Sequence, residues 1–129
     1  MVAPAPQGTA SGRQEMDPMD WPAASYRARR LVRARHRLVP EPISLALIDA
    51  FAAQGAVTAA GLRDFAPAEL VAPILGLVTT AVHGTGHLPA RNGWYRRDET
   101  GAFVIDPGFA VAWTAARACD APLPGAERT

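Results

Sequence analysis

The sequence predicts a mainly α-helical single domain with one β-hairpin near its C-terminal end. Three observations predict it. Apolar residues recur at helical spacing in successive stretches bounded by Pro or Gly. One pair of short aromatic and β-branched runs flanks Asp98-Glu99-Thr100-Gly101, a turn signal. A chain of 129 residues leaves room for one ordinary core and not two. Residues 1–16 and 121–129 are rich in Pro, Gly, Ala and Ser or Thr. They offer too little apolar surface to offset chain entropy, so both are expected to be disordered tails around a domain spanning 17–120.

The first helix is expected to start near Asp20-Trp21-Pro22, with Asp20 as cap and Pro22 in the first turn, where its missing N–H costs nothing. It runs through SYRARRLVRARHRL and stops before Pro40. At 100° per residue, Ala24, Ala28, Leu31, Ala34 and Leu38 gather on one side. Arg29, Arg30, Arg33 and Arg37 gather with Tyr26 on the other, and Arg27 and Arg35 flank the apolar stripe.

A second helix spans Pro42 to Gln54, with Leu47, Ile48 and Phe51 facing the core and Gly55 as its stop. Ala56-Val57 reads as a short extended link, and Thr58 caps a short helix towards Phe65. Pro67 and Glu69 suit the first turn of a third, longer helix ending at His83-Gly84. Pro73 inside it is expected to kink or break it. Trp94–Arg97 and Ala102–Ile105 form the hairpin, with Gly101 taking a positive φ beside a G1 bulge. Asp106-Pro107 then caps a last helix, whose face is Phe109, Ala112, Trp113 and Ala116.

Several function classes find no support. The single Cys119 excludes an intramolecular disulfide and a cysteine zinc cluster. The N-terminus lacks the basic and apolar regions of a secretory signal. The longest apolar-leaning stretch, Leu70 to Val82, is too short to span a bilayer. A soluble cytoplasmic protein is therefore expected. No nucleophile–base pair, carboxylate pair or cofactor fingerprint is visible, so the chain is expected not to be an enzyme and to need no cofactor. His83 and His87 flank Gly-Thr-Gly, which reads as a helix-ending loop in preference to a metal site.

The order helix, extended link, short helix, longer helix and hairpin, over residues 42–105, resembles a winged-helix domain. GAVTAAGLRDF is similar to the link and second helix of such domains, and TTAVHGTGHL to the end of their third helix. The chain thus looks like a winged-helix domain preceded by an arginine-rich helix. The resemblance implies nucleic-acid binding, with the hairpin as wing. The stretch matching the base-reading helix, Ala68 to Thr80, offers only Glu69, Thr79 and Thr80, which argues against direct base readout.

The arginine stripe is the strongest functional signal. All 13 basic residues are Arg, and six of them fall between 27 and 37. Dense guanidinium groups suit phosphates, since each neutralised phosphate releases a counterion and Arg donates to it bidentately. Arg27, Arg29, Arg30, Arg33 and Arg37, with Arg91, Arg96 and Arg97 at or near the wing, are the expected contacts to DNA, or to RNA in its place. Strand alternation lets only one of Arg96 and Arg97 point at a given partner. Trp94, Tyr95, Phe103, Phe109 and Trp113 are expected in the core between hairpin and last helix. The rival expectation is a protein-interaction or homodimerisation module using the apolar third helix.

Overall fold

The structure, a computed structural model, describes residues 19–120. The expected tails at 1–16 and 121–129 lie outside the described residues. Among the described residues, five helices and three short strands follow in the order α1 (Trp21–Ala34), α2 (Glu41–Gln54), β1 (Ala56–Val57), α3 (Ala59–Leu62), α4 (Ala68–His83), β2 (Tyr95–Arg97), β3 (Phe103–Ile105) and α5 (Pro107–Asp120). The fold is mainly helical, with a small antiparallel sheet of strand order β1-β3-β2. No helix is long and apolar enough to cross a membrane, among the described residues.

Local chemistry sets most element ends. Asp20 Oδ1 accepts from the Ala23 N–H at 3.0 Å and opens α1. Gly55 takes φ 80° and returns its N–H to the Phe51 carbonyl, closing α2. Thr58 Oγ1 caps α3 through the Gly61 N–H at 3.0 Å. In the hairpin turn, Asp98 Oδ1 accepts from the N–H groups of Thr100 and Ala102 and from the Thr100 hydroxyl. Gly101 sits at φ 87°, where a Cβ would be strained. Asp106 Oδ1 accepts from Gly108 and Phe109 to open α5.

Three expectations are corrected. First, α1 ends at Ala34, four residues before Leu38, and residues 35–38 form a turn. The Leu38 and Val39 N–H groups both reach the Arg35 carbonyl, which tucks Val39 into the core and leaves Leu38 71% exposed. Second, the buried face of α1 is Ala24, Ser25, Ala28, Arg29 and Val32, not the stripe through Leu31, Ala34 and Leu38. The helix is packed by α4 and by α5 together, and these neighbours select the sector that is covered. Third, of the kink or break expected at Pro73, the break does not occur, since α4 runs unbroken from Ala68 to His83. Pro73 faces solvent, so the Glu69 carbonyl that loses its helical donor can bond to water. Ile74, Leu75 and Val78 are buried just beyond it and hold the helix on the core.

The sheet gains a strand that the hairpin alone would lack. Ala56 and Val57 pair with Val104 and Phe103, and the Ile105 N–H reaches the Gly55 carbonyl at 2.9 Å. Trp94, Phe109 and Trp113 are fully buried, as expected for a core between hairpin and last helix, while Tyr95 and Phe103 are half-buried at its rim. Trp94 packs against Tyr95, Phe109 and Phe51 with centroids 4.8, 5.2 and 5.8 Å away. At the start of α5 the Trp21 ring lies so close to Gly108 that a Cβ there would fall 2.5 Å from it. Trp21 also meets Phe109 edge-on, so the first turns of α1 and α5 are fixed together.

Candidate nucleic-acid interface

The arginines of α1 have divergent environments. Arg29 is only 8% exposed and donates from Nη1 to Glu41 Oε2 at 3.0 Å, at the first residue of α2. Arg33, whose side chain is 70% exposed, approaches the same oxygen at 3.5 Å. The expected solvent-facing stripe is therefore split: Arg29 is a packed residue of the α1–α2 contact. The hydrogen bond from Arg29, with the charges of Arg29 and Arg33, holds the Glu41 carboxyl below the usual carboxylate range against the opposing effect of burial. Since the folded pKa is depressed, the stability it contributes is present at neutral pH and is lost as pH falls through the folded value.

Arg27 points elsewhere. Its Nε and Nη2 donate to the carbonyls of Ala81 and Val82 at 2.9 and 3.1 Å, filling acceptors that the C-terminal turn of α4 leaves free. Arg30 places its guanidinium 5.8 Å from the centroid of the Tyr26 ring, within cation–π range. Arg35, His36 and Arg37 stand exposed in the turn after α1, with His36 Nδ1 3.0 Å from the Arg33 carbonyl. Residues 27–40 contain no carboxylate, so Glu41 is the nearest acid along the chain on that side.

Two clefts along α1 share Arg30. One, of about 560 Å³, is lined by Tyr26, Arg29, Arg30, Arg33, Ala34, Ala116 and Cys119, between α1 and α5. The other, of about 420 Å³, lies between α1 and α4 and is lined by Arg27, Arg30, Leu31, Ala34, Thr80 and Ala81. The hairpin arginines belong to a different place. Arg96 and Arg97 line a hollow with Asn92, Gly93 and Asp106. Both are exposed, but Arg97 lies 4.3 Å over the Phe103 ring and donates to the Gly101 carbonyl. Arg91 is exposed in the preceding loop.

The free face of α4 is poor in hydrogen-bonding groups. Ala68, Glu69, Ala72, Pro73 and Thr80 are exposed, while Thr79 is buried and accepts the Trp94 indole N–H at 2.9 Å. A cleft of about 410 Å³ separates α4 from the hairpin. Its walls are mainly apolar, with Val71, Leu75, Leu88, Tyr95 and Phe103 among them.

His83 and His87 make separate contacts, His83 with Trp94 and the His87 backbone with Thr85. His83 Nε2 accepts from the Trp94 N–H at 3.2 Å, which ties the root of the hairpin to the end of α4. Among the described residues, no three His, Cys, Asp or Glu side chains gather as a metal would need. Burial, and then the charge of Arg27, lower the His83 pKa. The neutral ring is the form that accepts, so stability falls as pH drops below about 6.5, where unfolded imidazoles take up protons. His83→Gln keeps an acceptor that does not titrate. Its stability between pH 5 and 8 is expected to be flatter than that of the parent in urea titrations; parallel curves would refute the link.

Sequence reasoning overlooked two features. Glu41 is one, although an acid opening α2 so soon after an arginine-rich stretch was a visible signal. The other is Asp49, which accepts from Trp113 Nε1 at 2.7 Å and from Arg117 Nε at 3.0 Å, fixing α2 to α5. An aspartate in the apolar middle of α2, and Trp113 and Arg117 four residues apart, were the available signs.

Comparison of the chain with protein families, with curated proteins and with solved structures finds no match.

Proposed function

We propose that this chain is a winged-helix domain that binds nucleic acid by its phosphates and acts as a non-catalytic regulatory or accessory protein in the cytoplasm. The order α2-β1-α3-α4-β2-β3, with a sheet in which β1 lies beside β3, supports the winged-helix reading. The observation that carries the binding reading is the exposed cationic end of α1. Arg30, Arg33, Arg35 and Arg37 face solvent within eight residues, and Glu41, the next acid after them along the chain, is engaged by Arg29 and Arg33. Like charges so close repel one another, and a polyanion relieves that repulsion while releasing counterions.

Binding of this kind positions the protein without reading sequence. The free face of α4 agrees with that, since its exposed residues include the acidic Glu69 and no cation, and Ala72 and Pro73 carry no side-chain donor for a base edge. An amide chemical-shift map on addition of an oligonucleotide tests the assignment. Shifts are expected to concentrate between residues 26 and 38. Shifts confined to α4 and the hairpin, or none at all, would reject it.

A second reading rests on the apolar cleft between α4 and the hairpin, which suits a protein partner or a second copy of the chain better than a phosphate. Sedimentation at several concentrations separates the two. A dimer indifferent to oligonucleotides favours the second reading, and a monomer that binds them favours the first.

A further inference from the structure

Tyr26 stands on the outer face of α1. It is 62% exposed, whereas the other aromatic rings among the described residues are buried or half-buried. A large ring left in water on a helix that α4 and α5 pack from other sides calls for an explanation. Tyr26, Arg30 and Arg33 stand at i, i+4 and i+7 on α1, so they share one face of it. They line the same cleft of about 560 Å³, with Ala34 and Ala116 as its small apolar members. Arg30 lies toward the ring at 5.8 Å and leaves most of its surface in solvent.

We infer that this cleft takes single-stranded nucleic acid, with an unpaired base stacked on Tyr26 and the adjoining phosphates held by Arg30 and Arg33. The inference rests on the phosphate-binding reading above and goes beyond it by naming the strand form. A duplex keeps its base faces stacked inside, so an exposed ring meets them without the cost of unstacking only in an unpaired strand. Every base has a π face, so such a contact adds affinity without sequence preference. The alternative grip on a duplex, insertion of α4 in a groove, would place Glu69 against phosphate and Ala72 and Pro73 against base edges. That helix supplies neither the charge nor the donors.

The test compares three probes on the full chain: a labelled oligothymidine, a labelled duplex of equal length, and heparin, a polyanion without bases. Tyr26→Ala is expected to fold normally, because so much of the ring is already in water. It should weaken oligothymidine binding by about tenfold and leave heparin retention unchanged. Tyr26→Phe keeps the ring and should restore the parent affinity. The parent should also prefer oligothymidine to duplex. If Tyr26→Ala binds oligothymidine as the parent does, or loses heparin in equal measure, stacking is overturned. If duplex and heparin binding persist and depend on the arginines while Tyr26→Ala changes nothing, only this inference fails. A parent chain that retains none of the three probes overturns the phosphate-binding reading with it.

Discussion

Arg29→Ala is expected to destabilise the protein by about 2–3 kcal/mol, while Arg30→Ala, one residue along the same helix, should change stability by less than about 0.5 kcal/mol. The two side chains have the same chemistry and opposite surroundings. Arg29 is packed where α1 meets α2 and shares a short hydrogen bond with Glu41. Removing it leaves a partly buried carboxylate with only the longer contact to Arg33, and a gap where the aliphatic stem had packed. Losing one partner of a fully buried pair costs about 3–5 kcal/mol, and the value expected here is lower because Glu41 retains access to water. For a domain of this size the loss corresponds to a fall in Tm of roughly 10–20 °C. Thermal and urea denaturation of the two variants check it. Equal stabilities would mean that the α1–α2 contact does not depend on the ion pair. The variant should also have lost part of the acid sensitivity that the depressed Glu41 pKa gives the parent.

The same pair explains what was and was not legible in the sequence. Elements governed by a few neighbouring residues could be read directly. The Gly55 stop, the Asp98 turn with Gly101 at positive φ, and the Asp20 and Asp106 caps arise from local chemistry, and each stands where the sequence implied. The buried face of α1 was not legible, for a physical reason. Ala24 and Ala28 belong both to the expected stripe and to the observed one. Only the remaining positions decide between the two. Their choice was made by α4 and α5 on either side and by Glu41 at the start of α2, all distant in sequence or outside the helix. Pro73 shows the reverse case. The local rule predicts a kink or a break, but the apolar residues that follow Pro73 are buried, and packing keeps the helix unbroken. β1 is too short to be recognised as a strand until its partner β3 is present.

The candidate site was legible as composition and not as geometry. Six arginines in a short stretch were evident, but their division into tasks was not. Arg27 completes the end of α4, Arg29 packs the core, Arg30 meets Tyr26, and Arg35 and Arg37 remain in the turn. Hydrogen bonds to a helix end and to a single glutamate depend on which elements come together. No spacing rule within residues 27–37 contains that information.

A salt titration of oligonucleotide binding separates the arginines that face solvent from those that hold the fold. The informative variant is Arg30→Ala, Arg35→Ala and Arg37→Ala combined, which spares the packed Arg29 and the Arg33 contact to Glu41. It should remain as stable as the parent, lose at least about tenfold in affinity, and reduce the slope of log K against log salt by about 2 to 3, since each phosphate contact contributes about 0.7–0.9 to the slope. An unchanged affinity and slope in the folded triple variant would contradict the account.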